Sequence, residues 1–151
     1  MNRPSGTSNP VLRFSVLAVR RGLSLGALHS SSAGDAALVV AAAAAAFSRN
    51  RSYTEREVND VLRHWLAHAG AMLDVDHVEL RRWLVDSRLL ERDGFGRAYQ
   101  RGSPASEAGA LVATLESHDL NSIAQEAQAR DAAARDERKR QWAARERLAD
   151  A

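Results

Sequence analysis

The sequence predicts a mainly α-helical protein with one small β-hairpin, a winged helix-turn-helix-like domain followed by a long charged C-terminal helix. Three observations predict this class: an alanine-rich run, two consecutive helix-capping signals, and a glycine-bearing turn between two short alternating segments. They divide the chain into an N-terminal tail and loop over 1–34, partly disordered, a domain over 35–101 and a helical extension over 105–151.

The first 34 residues show no clear periodicity. Residues 1–10 combine proline with Ser, Gly, Thr and Asn, a composition too poor in apolar side chains to offset the entropy lost on ordering. The apolar residues of 11–19 fit a short strand or a short helix, and the glycines and serines of 22–34 predict a loop. We therefore expect the folded domain to begin at residue 35.

The first two predicted helices are separated by a turn over 49–52. Asp35 can cap a helix over 36–47, where alanine, the residue of highest helix propensity, predominates. Thr54 and Glu57 have the spacing of a capping box, in which each side chain accepts a hydrogen bond from the backbone of the other residue. Apolar residues follow in helical phase, so a second helix is predicted to end near residue 70.

A third helix is predicted over 76–87, because Asp76 and Glu79 repeat the capping-box spacing. Its apolar residues face those of the second helix in phase. The two helices are predicted to share one buried core that contains Leu62, Trp65, Leu80, Trp83 and Leu84.

After the third helix the pattern changes from helical to alternating. Residues 90–92 and 98–101 are two short segments, and the turn between them contains Gly94 and Gly96. This arrangement is typical of a β-hairpin. Three helices followed by a hairpin is the order of a winged helix-turn-helix module, with residues 90–101 as the wing.

The C-terminal extension is predicted to be helical with a break near 117–121, where Asp119 can cap a second helix. Its first part can pack on the domain through Leu111, Val112 and Leu115, and Leu120 with Ile123 extends that contact. Residues 130–150 contain seven basic and five acidic residues and few large apolar ones, which predicts a solvated helix. A sustained coiled coil needs about three or more apolar heptads, which this segment lacks.

Three separated sequence blocks also resemble a known family. They are Tyr53–Asn59 (YTEREVN), Leu80–Asp86 (LRRWLVD), and the wing residues Leu90, Arg92, Gly94 or Gly96, Tyr99 and Arg101. In this order they look like an uncharacterised bacterial family whose members stand alone or at the C-terminal end of transcriptional regulators. The resemblance implies a winged-helix-like fold and an association with transcription control, and it implies no assigned reaction.

The function predicted first is an accessory or regulatory module that binds double-stranded DNA through the third helix and the wing. Arginine is the cation that reads bases and phosphates in such modules. Glu79 and Asp86 lie on the same exposed side as Arg82 and oppose phosphate binding, so a continuous positive face would favour DNA and a mixed one a protein partner. The candidate nucleic-acid contacts are Arg81, Arg82, Arg88, Arg92, Arg97 and Arg101.

Two other functions are left open. The same fold can serve as a protein-interaction domain or self-associate through the C-terminal helix as a homodimer, with no contact to nucleic acid. A metal site is a weaker alternative, since His64 and His68 are four residues apart and Asp74, Asp76 or His77 could add a ligand. We expect neither a metal nor any other cofactor.

No catalytic residues are predicted, and the protein is not expected to be an enzyme. The chain has no cysteine, so it offers neither a thiolate nucleophile nor a thiolate metal site. The alanine-rich run is too short to cross a bilayer, and a polar stretch separates it from Arg20 and Arg21, unlike a signal peptide. A cytoplasmic protein without membrane contact is therefore expected, and its net charge of +2 permits an anionic partner.

Overall fold

Seven helices and three short strands make up the described part of the chain, residues 9–95 and 97–150 of a computed structural model. Residues 1–8 of the predicted disordered tail over 1–10, Gly96 of the predicted wing turn, and Ala151 lie outside the described residues. The elements in chain order are α1 (Pro10–Ala18), α2 (Leu25–Ser31), α3 (Ala33–Ala44), β1 (Ser52–Thr54), α4 (Glu55–Ala67), α5 (His77–Asp86), β2 (Leu90–Arg92), β3 (Ala98–Arg101), α6 (Glu107–Leu115) and α7 (Leu120–Ala149).

The N-terminal region is helical, and the loop predicted over 22–34 is wrong. Of the two conformations open for 11–19, the structure has the helix. Two of the serines that suggested a loop are helix caps: Ser24 Oγ accepts a hydrogen bond from Ala27 N, and Ser32 Oγ accepts one from Asp35 N. Consequently α3 begins at residue 33, three residues before the predicted start, and Ser32 replaces Asp35 as its cap.

The Asp35 side chain pairs with α1 instead. Its carboxylate accepts hydrogen bonds of 2.9 and 2.6 Å from Nε and Nη2 of Arg13. These bonds lower the pKa of Asp35 below its ordinary value, although partial burial opposes the shift. The ion pair thus ties the N-terminal helix to the domain.

The predicted capping box of the second helix is confirmed. Glu57 N donates to Thr54 Oγ1, and Thr54 N donates to Glu57 Oε1, both at 3.1 Å. In α5 one of the two hydrogen bonds of the predicted capping box is present: Glu79 N donates to Asp76 Oδ1 at 2.8 Å.

The predicted shared core of the second and third helices is also confirmed. Leu62, Trp65, Leu80 and Leu84 are buried, and the partly buried Trp83 packs against this core.

The hairpin is confirmed and belongs to a three-stranded antiparallel sheet of order β1-β3-β2. Strand β1, which follows directly on the turn at 49–52, was not predicted. It places Tyr53 opposite Tyr99, and the hairpin places Arg92 opposite the same tyrosine. Tyr99 and Leu90 are buried, so this face of the sheet is directed toward the helices.

The C-terminal helices also follow the prediction. α7 begins after Asp119, whose carboxylate accepts a hydrogen bond from Ser122 N. Val112, Leu115 and Leu120 are buried in the same core as Phe14 of α1, so one core extends beyond both predicted limits of the domain, 35 and 101. Past residue 131 every described residue of α7 is exposed. None of the described helices combines the length and the apolar character needed to cross a membrane.

Candidate nucleic-acid interface

A groove of about 220 Å³ opens between α5 and the hairpin. Arg92 is two residues after Leu90 in β2, so both side chains point to the same face of the sheet, the face directed toward the helices. The edge strand thereby brings Arg92 to the arginines of α5. The residues that line the groove are Val78, Arg81, Arg82, Val85, Asp86, Arg92 and Tyr99.

Arg82 and Arg92 are the two unpaired cations of this groove. Both are exposed, and neither takes part in an ion pair within residues 9–95 and 97–150. Their guanidinium groups are therefore available to an anionic ligand. A guanidinium can bind a phosphate through two parallel N–H groups.

Arg81 lines the same groove but is already occupied. Its Nη1 donates to Asn59 Oδ1 at 2.7 Å and lies 3.2 Å from Glu55 Oε1, and its side chain is 19% exposed. Both partners belong to α4. Arg81 therefore fixes α5 against α4 and contributes little uncompensated charge to the groove.

Arg101 is not part of this surface. Its side chain is 5% exposed, Nη2 lies 2.5 Å from Glu116 Oε2, and Nη1 donates to the carbonyl oxygen of Phe47 at 3.2 Å. Exposing it to a duplex would leave the partly buried Glu116 without this partner. We therefore assign Arg101 to the fold and remove it from the candidate contacts.

Glu116 joins three elements of the fold. Besides Arg101 it binds Arg49, whose Nη2 lies 2.7 Å from Oε1. Burial raises the pKa of the Glu116 carboxyl, but the hydrogen bonds from Arg101 and Arg49 outweigh that effect and leave it below its ordinary value. The cluster holds α6 to β3 and to the turn after α3.

Arg88 and Arg97 are exposed at opposite ends of the hairpin. Arg88 follows α5 with φ of +62°, the left-handed conformation that commonly ends a helix. Arg97 stands in the turn, where its backbone N–H donates to Asp93 Oδ1 at 2.8 Å. Neither residue forms an ion pair in the described part of the chain.

Sequence reasoning missed Phe95 at the tip of the hairpin. Its side chain is 85% exposed, more than any other large apolar residue of the described chain. The signal was visible, since an aromatic residue in a tight turn between two glycines has no core to enter. An exposed phenylalanine beside an unpaired arginine makes the tip a candidate contact surface.

Acidic residues interrupt this face, as the sequence predicts. Asp86 lines the groove, and Glu79 is exposed in the first turn of α5. The hairpin adds the exposed acidic residues Glu91 and Asp93, so four acidic residues accompany the four unpaired arginines at 82, 88, 92 and 97. The face is therefore mixed in charge.

The histidines of α4 do not assemble a metal site in the described part of the chain. The His64 and His68 rings stack with centroids 4.1 Å apart, and His68 Nδ1 lies 2.7 Å from the carbonyl oxygen of His64. His77 Nε2 lies 3.4 Å from Arg63 Nη2. Among residues 9–95 and 97–150 no three His, Asp or Glu side chains are grouped so as to hold a metal ion.

Comparison with known proteins identifies the central segment. Residues 30–101 match the family described as "Uncharacterized protein conserved in bacteria (DUF2087)". This segment, 72 of the 151 residues, is similar to that family, and we call it the DUF2087-like domain. The match confirms the resemblance to an uncharacterised bacterial family, and the domain includes α3, the three strands, α4 and α5. No curated protein and no solved structure matches the chain.

Proposed function

We propose that the DUF2087-like domain of this chain is a winged-helix module that binds double-stranded DNA and serves as an accessory or regulatory unit in bacterial transcription. The observation that carries this proposal is the groove between α5 and the hairpin, where two unpaired arginines from different elements converge. The role implies a cytoplasmic location, where the chromosome lies.

The element order supports this proposal. Helix α3, strand β1, helices α4 and α5, and the antiparallel pair β2 and β3 follow one another as in a winged helix, with β3 central in the sheet. In helix-turn-helix proteins the second helix of the motif lies in the major groove, while the other elements hold it against the backbone. In this arrangement α5 is the reading helix and the hairpin is the wing.

The side chains then divide by role. Arg82 on α5 faces the groove and would contact base edges or phosphate, and Arg92 and Arg97 on the hairpin would contact the adjacent backbone. Arg81 positions α5 through its bonds to α4. Phe95 would meet the sugar edge or a base step of the minor groove, as exposed apolar side chains do in minor-groove proteins.

The proposal is tested by measuring binding to a labelled random-sequence duplex at several salt concentrations. Each phosphate contact contributes a slope of about −0.9 to log affinity against log salt. Arg82→Ala and Arg92→Ala should each flatten the slope by about one unit, and Asp86→Asn should tighten binding because one opposing carboxylate is removed. Arg20→Ala, which removes an exposed arginine far along the chain from the groove, serves as the charge-matched control.

Two results would reject the DNA function. One is that the parent protein fails to bind the duplex at low salt. The other is that Arg20→Ala weakens binding as much as Arg82→Ala does, since binding would then follow net charge and not the groove.

A protein partner is the second candidate, and the mixed charge of the face favours it. Asp86 lies in the groove among the arginines, and Phe95 projects from the tip. Protein interfaces commonly surround an exposed aromatic anchor with charges of both signs. If the duplex does not bind, Phe95→Ser with Arg92→Ala is the pair of variants that should abolish capture of such a partner.

A further inference from the structure

The outer half of α7 is a separate charged surface that the fold does not use. All described residues after 131 are exposed, and about 18 helical residues at 1.5 Å each extend this segment about 27 Å beyond Asp131, the last partly buried residue of α7. A solvated helix of this length gains little from local charge pairs alone. Its side chains therefore need an explanation outside the fold.

Charges on this helix are unevenly distributed around its axis. At about 100° per residue, Arg138 and Arg145 lie about 20° apart, and Arg135 and Lys139 lie on the same side within about 120°. We call these four residues the cationic stripe. Asp131 and Glu146 lie within the same sector, which therefore has a net charge of +2. Arg135 pairs with Asp131 at 3.2 Å, whereas the other three arginine and lysine members form no ion pair with any described residue.

Trp142 projects from the middle of the cationic stripe. Its side chain is 64% exposed, and its indole N–H donates to Glu146 Oε1 at 2.7 Å, which orients the ring along the helix. Leu148, the other large apolar residue here, is also exposed but lies about 120° away around the axis. An aromatic ring among cations is a common composition of nucleic-acid contact surfaces.

This distribution argues against the other usual partners of an exposed helix. A coiled coil needs apolar residues on one seam, and a helix that lies in a membrane surface needs an apolar face opposite its charges. With Trp142 and Leu148 on different sides, the part of α7 beyond residue 131 has neither. If two copies of α7 paired in antiparallel orientation, the central cations Arg138, Lys139 and Arg140 of one copy would lie near the same cations of the other. Repulsion between these like charges disfavours such a pair.

We propose that the cationic stripe of α7 is a second contact with duplex DNA, which grips the phosphate backbone beside the segment held by α5 and the hairpin. This inference rests on the proposed DNA function and extends it to a surface outside the DUF2087-like domain. The stripe contributes affinity without sequence preference, because phosphates carry no sequence information.

The chain supplies a matched control for the test. Arg130 and Arg147 are also exposed and unpaired in the described part of α7, but they lie off the stripe. Arg138→Ala/Arg145→Ala and Arg130→Ala/Arg147→Ala therefore remove the same charge from the same helix. In the full chain the stripe variant should flatten the salt slope by about two units and weaken duplex affinity by one to two orders of magnitude near 0.1 M salt, and the control should bind like the parent.

The outcomes separate this inference from the function on which it rests. If Arg82→Ala weakens binding while the stripe variant and its control both bind like the parent, the α7 contact is refuted and the groove stands. Equal weakening in both α7 variants also refutes it, because binding then depends on net charge. A stripe variant that changes oligomeric state, or loses binding to anionic phospholipid vesicles instead of DNA, assigns the stripe to a second copy or to a membrane and refutes the proposal.

Discussion

Leu84 and Arg82 lie two positions apart on α5 and have opposite environments. Leu84 is fully buried in the core, whereas Arg82 is exposed and unpaired. Leu84→Ala should lower the free energy of unfolding by about 2 to 5 kcal/mol, because it removes buried methyl groups and leaves a cavity. Arg82→Ala should change it by less than about 0.5 kcal/mol. Urea unfolding of both variants checks this, and a stable Leu84→Ala variant would contradict the proposed core.

The sequence could predict that arginines form the candidate site, but it could not predict which of these arginines are free to bind a ligand. Six arginines near the third helix and wing looked equivalent in the sequence, because the partner of each is set by the tertiary fold. Arg101 in β3 binds Glu116 at the C-terminal end of α6, and Arg81 binds Asn59 and Glu55 on α4, 22 and more residues away. Only the tertiary contacts distinguish these structural arginines from Arg82 and Arg92.

At the scale of elements, the sequence predicted the helix caps and the turn that depend on contacts between residues close in the chain. The Thr54 box, the Asp76 and Asp119 caps and the hairpin turn are contacts between residues close in the chain, so their spacing is visible in the sequence. Helix α2 and strand β1 were missed for the opposite reason. α2 has seven residues and is stabilised by packing on α3, and β1 exists because it pairs with β3, more than 40 residues later.

Helix α7 divides at about residue 131 into a packed part and a projecting part. The packed part buries Leu120, Ala124 and Ala127, and Gln128 donates to the carbonyl oxygen of Ala18. Deleting 132–151 should therefore lower the melting temperature by less than about 4 °C, the shift expected for about 1 kcal/mol in a chain of this size. Deleting 118–151 is the contrasting control and should lower it far more. Calorimetry of both chains decides whether the projecting part docks on the body.

Across the whole molecule, one core and two ion-pair clusters join the flanking helices to the DUF2087-like domain. The core is continuous from Phe14 of α1 to Ala124 of α7. Arg13 with Asp35 attaches α1, and Glu116 with Arg49 and Arg101 attaches α6. The domain recognised by family is therefore smaller than the folded unit, and the flanking helices should unfold together with it.

This arrangement predicts that stability depends on acid pH. The pKa values of Asp35 and Glu116 lie below their ordinary values of 3.8 and 4.5. A carboxyl with a lowered folded-state pKa stabilises the fold above its unfolded pKa, and that contribution is lost as pH falls through the folded value. The free energy of unfolding should thus be constant from about pH 7 to 5 and should decrease as the pH falls below about 4.5.

The double variant Asp35→Asn/Glu116→Gln tests this expectation. It should be less stable than the parent at pH 7 and should lose less stability on acidification, whereas Asp136→Asn, at an exposed unpaired position of α7, should follow the parent. Urea unfolding at each pH measures the slope, and an equally steep slope in the double variant would show that these two clusters do not hold the flanking helices.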